Sequence, residues 1–191
     1  DPAGRVWFSD AGASTVRRIE PDGTLATIVG DGDFGFAGDG GPGRAAELSV
    51  AADLAFDDDG ALYIADQENG RVRRYDPVAD RIDTVAGADP GVPGPFPTPH
   101  TVDATTAFLE QPTTLDVDGA GRIYIGVSAG ARIDRVDVDG TITTVVGDGT
   151  PSLFGDGGIA TNARVVAPLD LVALDDGRLA FADSDVRRIV L

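Results

Sequence analysis

The chain has no cysteine, no lysine and a single histidine among its 191 residues. Without cysteine there are no disulfides, thiolate metal sites or cysteine nucleophiles, although exported bacterial domains also do without it. One histidine, His100, excludes a multi-histidine metal centre. It lies in the insertion 90–101, whose prolines 90, 93, 95, 97 and 99 favour an extended polyproline-like run that a partner groove can read. All 15 basic residues are arginine, against 32 acidic ones, for a net charge of −17. A field of that sign repels nucleic acid and anionic membrane, so neither is an expected partner. The arginine, alanine and glycine bias fits a high-GC, bacterial genome. No apolar run approaches the ~20 residues of a membrane-spanning helix.

What the chain does have is β structure and repetition. Its 26 glycines and 12 prolines punctuate short Val, Ile, Leu, Tyr and Phe runs, with almost no helical period. An apolar run ending in Asp, then an arginine-rich apolar run, recurs along it. The copies are Val6-Trp7-Phe8-Ser9-Asp10 with Val16-Arg17-Arg18-Ile19, and Leu62-Tyr63-Ile64-Ala65-Asp66 with Val72-Arg73-Arg74-Tyr75. Ile123-Tyr124-Ile125-Gly126-Val127 precedes Ile133-Asp134-Arg135-Val136, and Leu179-Ala180-Phe181-Ala182-Asp183 precedes Val186-Arg187-Arg188-Ile189. Phe8, Ile64, Ile125 and Phe181 are equivalent, at spacings of 56, 61 and 56 residues. Such a period predicts blades that stack into a ring.

Each unit predicts four antiparallel strands. The inner ones are centred on Leu54-Ala55-Phe56, Leu115-Asp116-Val117 and Leu171-Val172-Ala173-Leu174, each followed by an Asp-Gly turn of hairpin type. The outer ones cover 24–29, 82–86 and 141–146. The expected fold is all-β, a propeller of about three and a half four-stranded blades with units at 1–29, 48–86, 109–146 and 165–191. Closed propellers have typically 4–8 blades, and the chain starts on a second-type strand and stops on a third. We therefore expect it to be part of a larger ring of six to eight blades; a protomer that closes a ring with a second copy is the rival. Trp7, Tyr63 and Tyr124 share one position in the second strand and are expected between blades.

Tyr63-Ile64-Ala65-Asp66 with Arg71-Val72-Arg73-Arg74, together with the inter-blade runs Gly30-Asp31-Gly32 to Gly38-Asp39-Gly40-Gly41 and Gly147-Asp148-Gly149 to Gly155-Asp156-Gly157-Gly158, resembles the NHL-repeat β-propeller family. Pro112 and Pro168 match its proline before the inner strand; Ala51 departs. The resemblance implies a scaffold or extracellular sensing module, outside the cytoplasm, with a protein, peptide or glycan partner and no cofactor.

Candidate site residues fall into three sets. Asp10, Asp66 and Asp183 end second strands, with Arg17, Arg73 and Arg187 early in the third. The expected role is a bidentate ion pair that fixes each hairpin, since a catalytic group is needed once rather than once per blade. In the third unit Val127 replaces the Asp. Calcium is a candidate ligand of Asp31, Asp33 and Asp39, or of Asp148 and Asp156, through hard oxygen donors, although no EF-hand spacing is present; any metal remains unassigned. Gly30-Asp31-Gly32-Asp33-Phe34-Gly35 fits a dinucleotide pattern only in letters, because it opens no helix of a βαβ unit. Asp53, Thr114 and Asp170 start successive inner strands and are the expected lining of a central channel. A cation there would make the alternative function a metal-dependent lactonase-like or lyase-like enzyme. A purely structural shell repeat is a third possibility.

Overall fold

The computed structural model describes residues 1–89, 102–152, 154–174 and 176–183, and the backbone of 188–190. The insertion with His100, the tight turn at Ser184 and Asp185, and Arg187 lie outside the described residues.

Four antiparallel sheets follow one another along the chain. The first holds β1 (Trp7–Asp10), β2 (Thr15–Ile19) and β3 (Leu25–Val29). The second is β4 (Ala51–Phe56), β5 (Leu62–Asp66), β6 (Arg71–Asp76) and β7 (Arg81–Ala86), in that spatial order. A two-residue strand, β8 (Val102–Asp103), precedes β9 (Pro112–Val117), β10 (Ile123–Val127), β11 (Arg132–Val136) and β12 (Thr141–Val146). The last sheet is β13 (Pro168–Ala173), β14 (Leu179–Asp183) and β15 (Arg188–Val190). The expected sequence of three, four, four and three strands is present. The one addition is β8, which pairs outside β12 through Val102 and Ile142. Among the described residues no helix is long and apolar enough to cross a membrane.

Local chemistry sets these hairpins. In the β4–β5 turn, Gly60 takes φ +86° and the Asp57 carboxylate accepts from the Ala61 amide at 2.8 Å. Asp118 repeats the role for Arg122 at 2.9 Å between β9 and β10. Proline at the first position of β9 and β13 is tolerated because these strands lie on the sheet edge.

Three apolar clusters lie between successive sheets. Leu62, Ile64 and Tyr75 join Val16, Val29 and Leu48 in the first; Tyr63, Leu115 and Ile125 meet in the second; Tyr124, Ile133, Leu171 and Phe181 in the third. Trp7 packs edge-on against Phe56 of the next blade, with centroids 5.4 Å apart. The three equivalent aromatics thus fill the spaces between blades, as their shared position predicts. Blade stacking, and not any single sheet, buries the core.

Candidate functional site

On the inner strands the expected trio separates. Asp53 of β4 reaches the next blade, accepting at 2.9 Å from both the Thr114 hydroxyl and the Leu115 amide with one carboxylate oxygen. Its other oxygen accepts from its own neighbour, the Leu54 amide, at 2.8 Å. Asp116 does the same one level down, accepting from Val117 and, across the blades, from Ala173, each at 2.9 Å. Inner strands present a row of amides with no ladder partner; these two carboxylates cap that row in pairs and tie blade to blade. Asp170 has no such neighbour among the described residues and is exposed. Sequence reasoning placed Asp116 within an apolar run and missed it. The signal was a lone charge where the other copies have Ala55 and Val172. Replacing Asp53 with Ala is expected to cost about 2 kcal/mol in denaturant unfolding, because buried donors on two blades lose their acceptor. Asp53→Asn, which keeps an acceptor oxygen, should cost less.

Among the described residues, the strand-end pairs Asp10–Arg17 and Asp66–Arg73 are not the expected bidentate ones. The register places Asp66 opposite Arg71 and Ile64 opposite Arg73, so Asp66 and Arg73 are diagonal neighbours. One guanidinium nitrogen reaches Asp66 at 3.4 Å. The closer partners of Asp66 are the Ser49 amide at 2.7 Å and the Asn69 carboxamide at 2.8 Å. Asp183 likewise accepts from the Val166 and Ala167 amides, at 3.1 to 3.2 Å. What recurs is a carboxylate that pins the segment leading into the inner strand. Asp10 and Arg17 form a pair of the same 3.4 Å length but more exposed, each about one third.

Arg73 is fully buried and turns the other way. It pairs with Asp39 at 2.6 Å, donates to the Ala37 and Glu47 carbonyls, and lies beside the Phe36 ring, which Arg71 also covers at 3.7 Å. Asp39 of the Gly-Asp-Gly-Gly run is thus held by an arginine. Asp31 caps the Asp33 amide, and Asp148 takes the Thr150 amide and Arg164. Among the described residues no three acidic or histidine side chains converge as a metal cage would require.

In the third blade the charge pattern is reversed. Asp134 occupies the place of Arg73, fully buried, held by Arg132 at 2.9 Å and the Thr144 hydroxyl at 2.7 Å. Burial pushes its carboxyl above the ordinary 3.8, against the pull of Arg132. The folded protein therefore holds this proton more tightly than the unfolded chain. Its contribution to stability grows as pH falls through the raised value toward 3.8 and is lost as pH rises again. The stability of the parent relative to Asp134→Asn should rise as pH falls from neutral to about 4 in thermal melts. A difference independent of pH would contradict this assignment.

The other feature is a cleft of about 400 Å³ between the β5–β6 turn and the segment leading into β9. Its lining includes Gln67, Glu68 and Asn69 from the second blade and Phe108, Glu110 and Gln111 from the third. Asn69 is fixed by bonds to the Gly35 carbonyl and to Asp66. Asp89, at the edge, is taken up by Arg71.

No family model matches the chain. A solved structure, an auxiliary nutrient binding protein from Bacteroides thetaiotaomicron, superposes with a TM-score of 0.66 at 18% identity, over 97% of this chain and 44% of that one. The fold is a β-propeller. By sequence the propeller is 28% identical to teneurin-4 of Mus musculus over 214 residues, which is 96% of this chain and 7% of that protein. It is 32% identical to pentonolactonase XacC of Haloferax volcanii over 128 residues, 51% of this chain and 42% of that protein. The chain spans less than half the length of each of these relatives.

Proposed function

We propose that the propeller is a non-catalytic binding or scaffold module of the NHL-repeat type, part of a ring of six to eight blades that acts outside the cytoplasm. It presents to a protein, peptide or glycan partner the face formed by the turns between second and third strands and the inter-blade crossings. The remaining blades come from the same protein or from a second copy.

The observation that carries this reading is how the inner-strand carboxylates are used. Asp53 and Asp116 each accept with one oxygen from an amide of their own strand and with the other from an amide of the next blade. They hold the ring together and are not presented to a substrate. The likeness to a nutrient binding protein supports the same reading at the level of the fold.

The likeness to a pentonolactonase favours a second reading, a lactone hydrolase with an axial cation, in which the exposed Asp170 would be a ligand. Calorimetry of the intact protein with calcium, beside a pH-stat assay on pentonolactones, separates the two. Calcium heat with saturable lactone hydrolysis, both lost in Asp170→Ala, would overturn the binding reading. Neither signal, with retention of a saccharide or peptide on an affinity matrix, is the expected result.

A further inference from the structure

The turns between second and third strands are built alike in three blades. Each reads out as a short 3₁₀ turn or bend closed by a left-handed residue: Ser14 at φ 47°, Gly70 at φ 62° and Ala131 at φ 49°. Their sequences differ sharply. The first is Ala11-Gly12-Ala13-Ser14 and the third Ser128-Ala129-Gly130-Ala131, whereas the second is Gln67-Glu68-Asn69-Gly70. Whatever the turn needs in order to fold is met by small residues in the two other copies. The long polar side chains of Gln67 and Glu68 are therefore not there for the fold.

The facing wall departs from the repeat as well. Ser49 and Val50 lead into β4, and Val166 and Ala167 into β13; the equivalent pair before β9 is Glu110-Gln111. In those two other blades a strand-end Asp pins this segment through the Ser49 or Val166 amide. In the third blade that Asp is replaced by Val127, which is fully buried. Both departures face the same cleft. Gln67, Glu68, Glu110 and Gln111 make no side-chain hydrogen bond among the described residues. Two carboxamides, two carboxylates and Phe108 thus line one space within the roughly 300–1,000 Å³ of small-molecule sites.

We infer that this cleft is a saccharide-binding site, an inference that rests on the binding-module reading and gives it a location. Two carboxylates exclude an anionic ligand. A hard cation could use carboxamide oxygens as well as the carboxylates, but among the described residues no three acidic or histidine side chains converge to hold one. A sugar has a use for each group. A carboxamide sets an N–H donor beside a carbonyl acceptor, which suits a pair of adjacent hydroxyls, each of which both donates and accepts. Carboxylates accept from hydroxyls with charge assistance. The apolar face of a sugar ring has the half-buried Phe108 in the lining to lie against.

The test is amide NMR of the intact protein titrated with D-xylose, D-glucose, xylobiose and cellobiose. Saturable shifts are expected at 67–70 and 110–111. The double substitution Gln67→Ser with Glu68→Ala installs residues that the third blade already carries there, so folding is preserved and a thermal melt confirms it. Loss of hydrogen bonds to a charged partner should weaken binding about tenfold or more. Saturable shifts at Asp53 and Thr114 instead would overturn the cleft while leaving a binding module. Shifts at 67–70 with a tri-arginine peptide and with none of the four sugars would overturn the ligand class. Turnover of a lactone without saturable sugar binding would overturn the binding-module reading itself.

Discussion

Arg73→Ala should destabilise the protein by about 3–5 kcal/mol, the range for removing one partner of a buried charge pair. Arg73 has no exposed surface, and its partner Asp66 has none either. Without the guanidinium, the Asp66 carboxylate stays buried with only neutral donors, and the Ala37 and Glu47 carbonyls lose theirs. The stack on Phe36 is lost as well. The same substitution one blade earlier, Arg17→Ala, removes a pair of equal length whose two side chains are 32% and 37% exposed. Solvent screens that pair, so its loss should cost below about 1 kcal/mol. Urea unfolding of the two variants side by side makes the comparison. Equal losses would show that the repeated pair has one value in every blade, contrary to the geometry.

This contrast marks where the sequence could be read and where it could not. Strand order follows from alternation and Asp-Gly turns, both local properties, and Asp57 with Gly60 behaves as such a turn requires. The packing of Trp7, Tyr63 and Tyr124 between blades follows from the period, because equivalent residues meet equivalent surroundings. The partners of Asp66 do not follow. Ser49 lies 17 residues away and Asp39 reaches Arg73 over 34, so their pairing depends on how the crossing folds back. Asp134 stands at the Arg73 position in the repeat itself, but that Arg132 and Thr144 hold it there needs the register of β11 against β12. For the cleft, the odd residues at 67–69 and at 110–111 are visible in the chain. Only the structure shows that they share one space.

The second large effect belongs to the crossings themselves. Gly30, Gly87 and Gly147 end the outer strands at φ +93°, +102° and +96°, and each donates to the next crossing, to Gly43, Ala104 and Ala160 respectively. A Cβ on Gly87 would meet the Gly70 carbonyl oxygen and the Arg71 Cα, both backbone atoms that cannot rotate away. The Gly70 turn is itself closely packed, since a Cβ there would meet the Leu109 carbonyl oxygen. Gly87→Ala should therefore cost about 3 kcal/mol or more, combining a disallowed φ with a steric displacement. Gly140→Ala is the control: its φ is +82°, with nothing within 4 Å of a Cβ. Only the backbone preference acts there, at about 1–2 kcal/mol. Because Gly70 also lines the cleft, displacing its turn moves Gln67 and Glu68 with it. Gly87→Ala should then weaken sugar binding at temperatures where the protein is still folded, while Gly140→Ala leaves it unchanged. Equal thermal losses in the two variants would mean that the crossing yields, and that the 67–70 turn is not held in place by the residues beneath it.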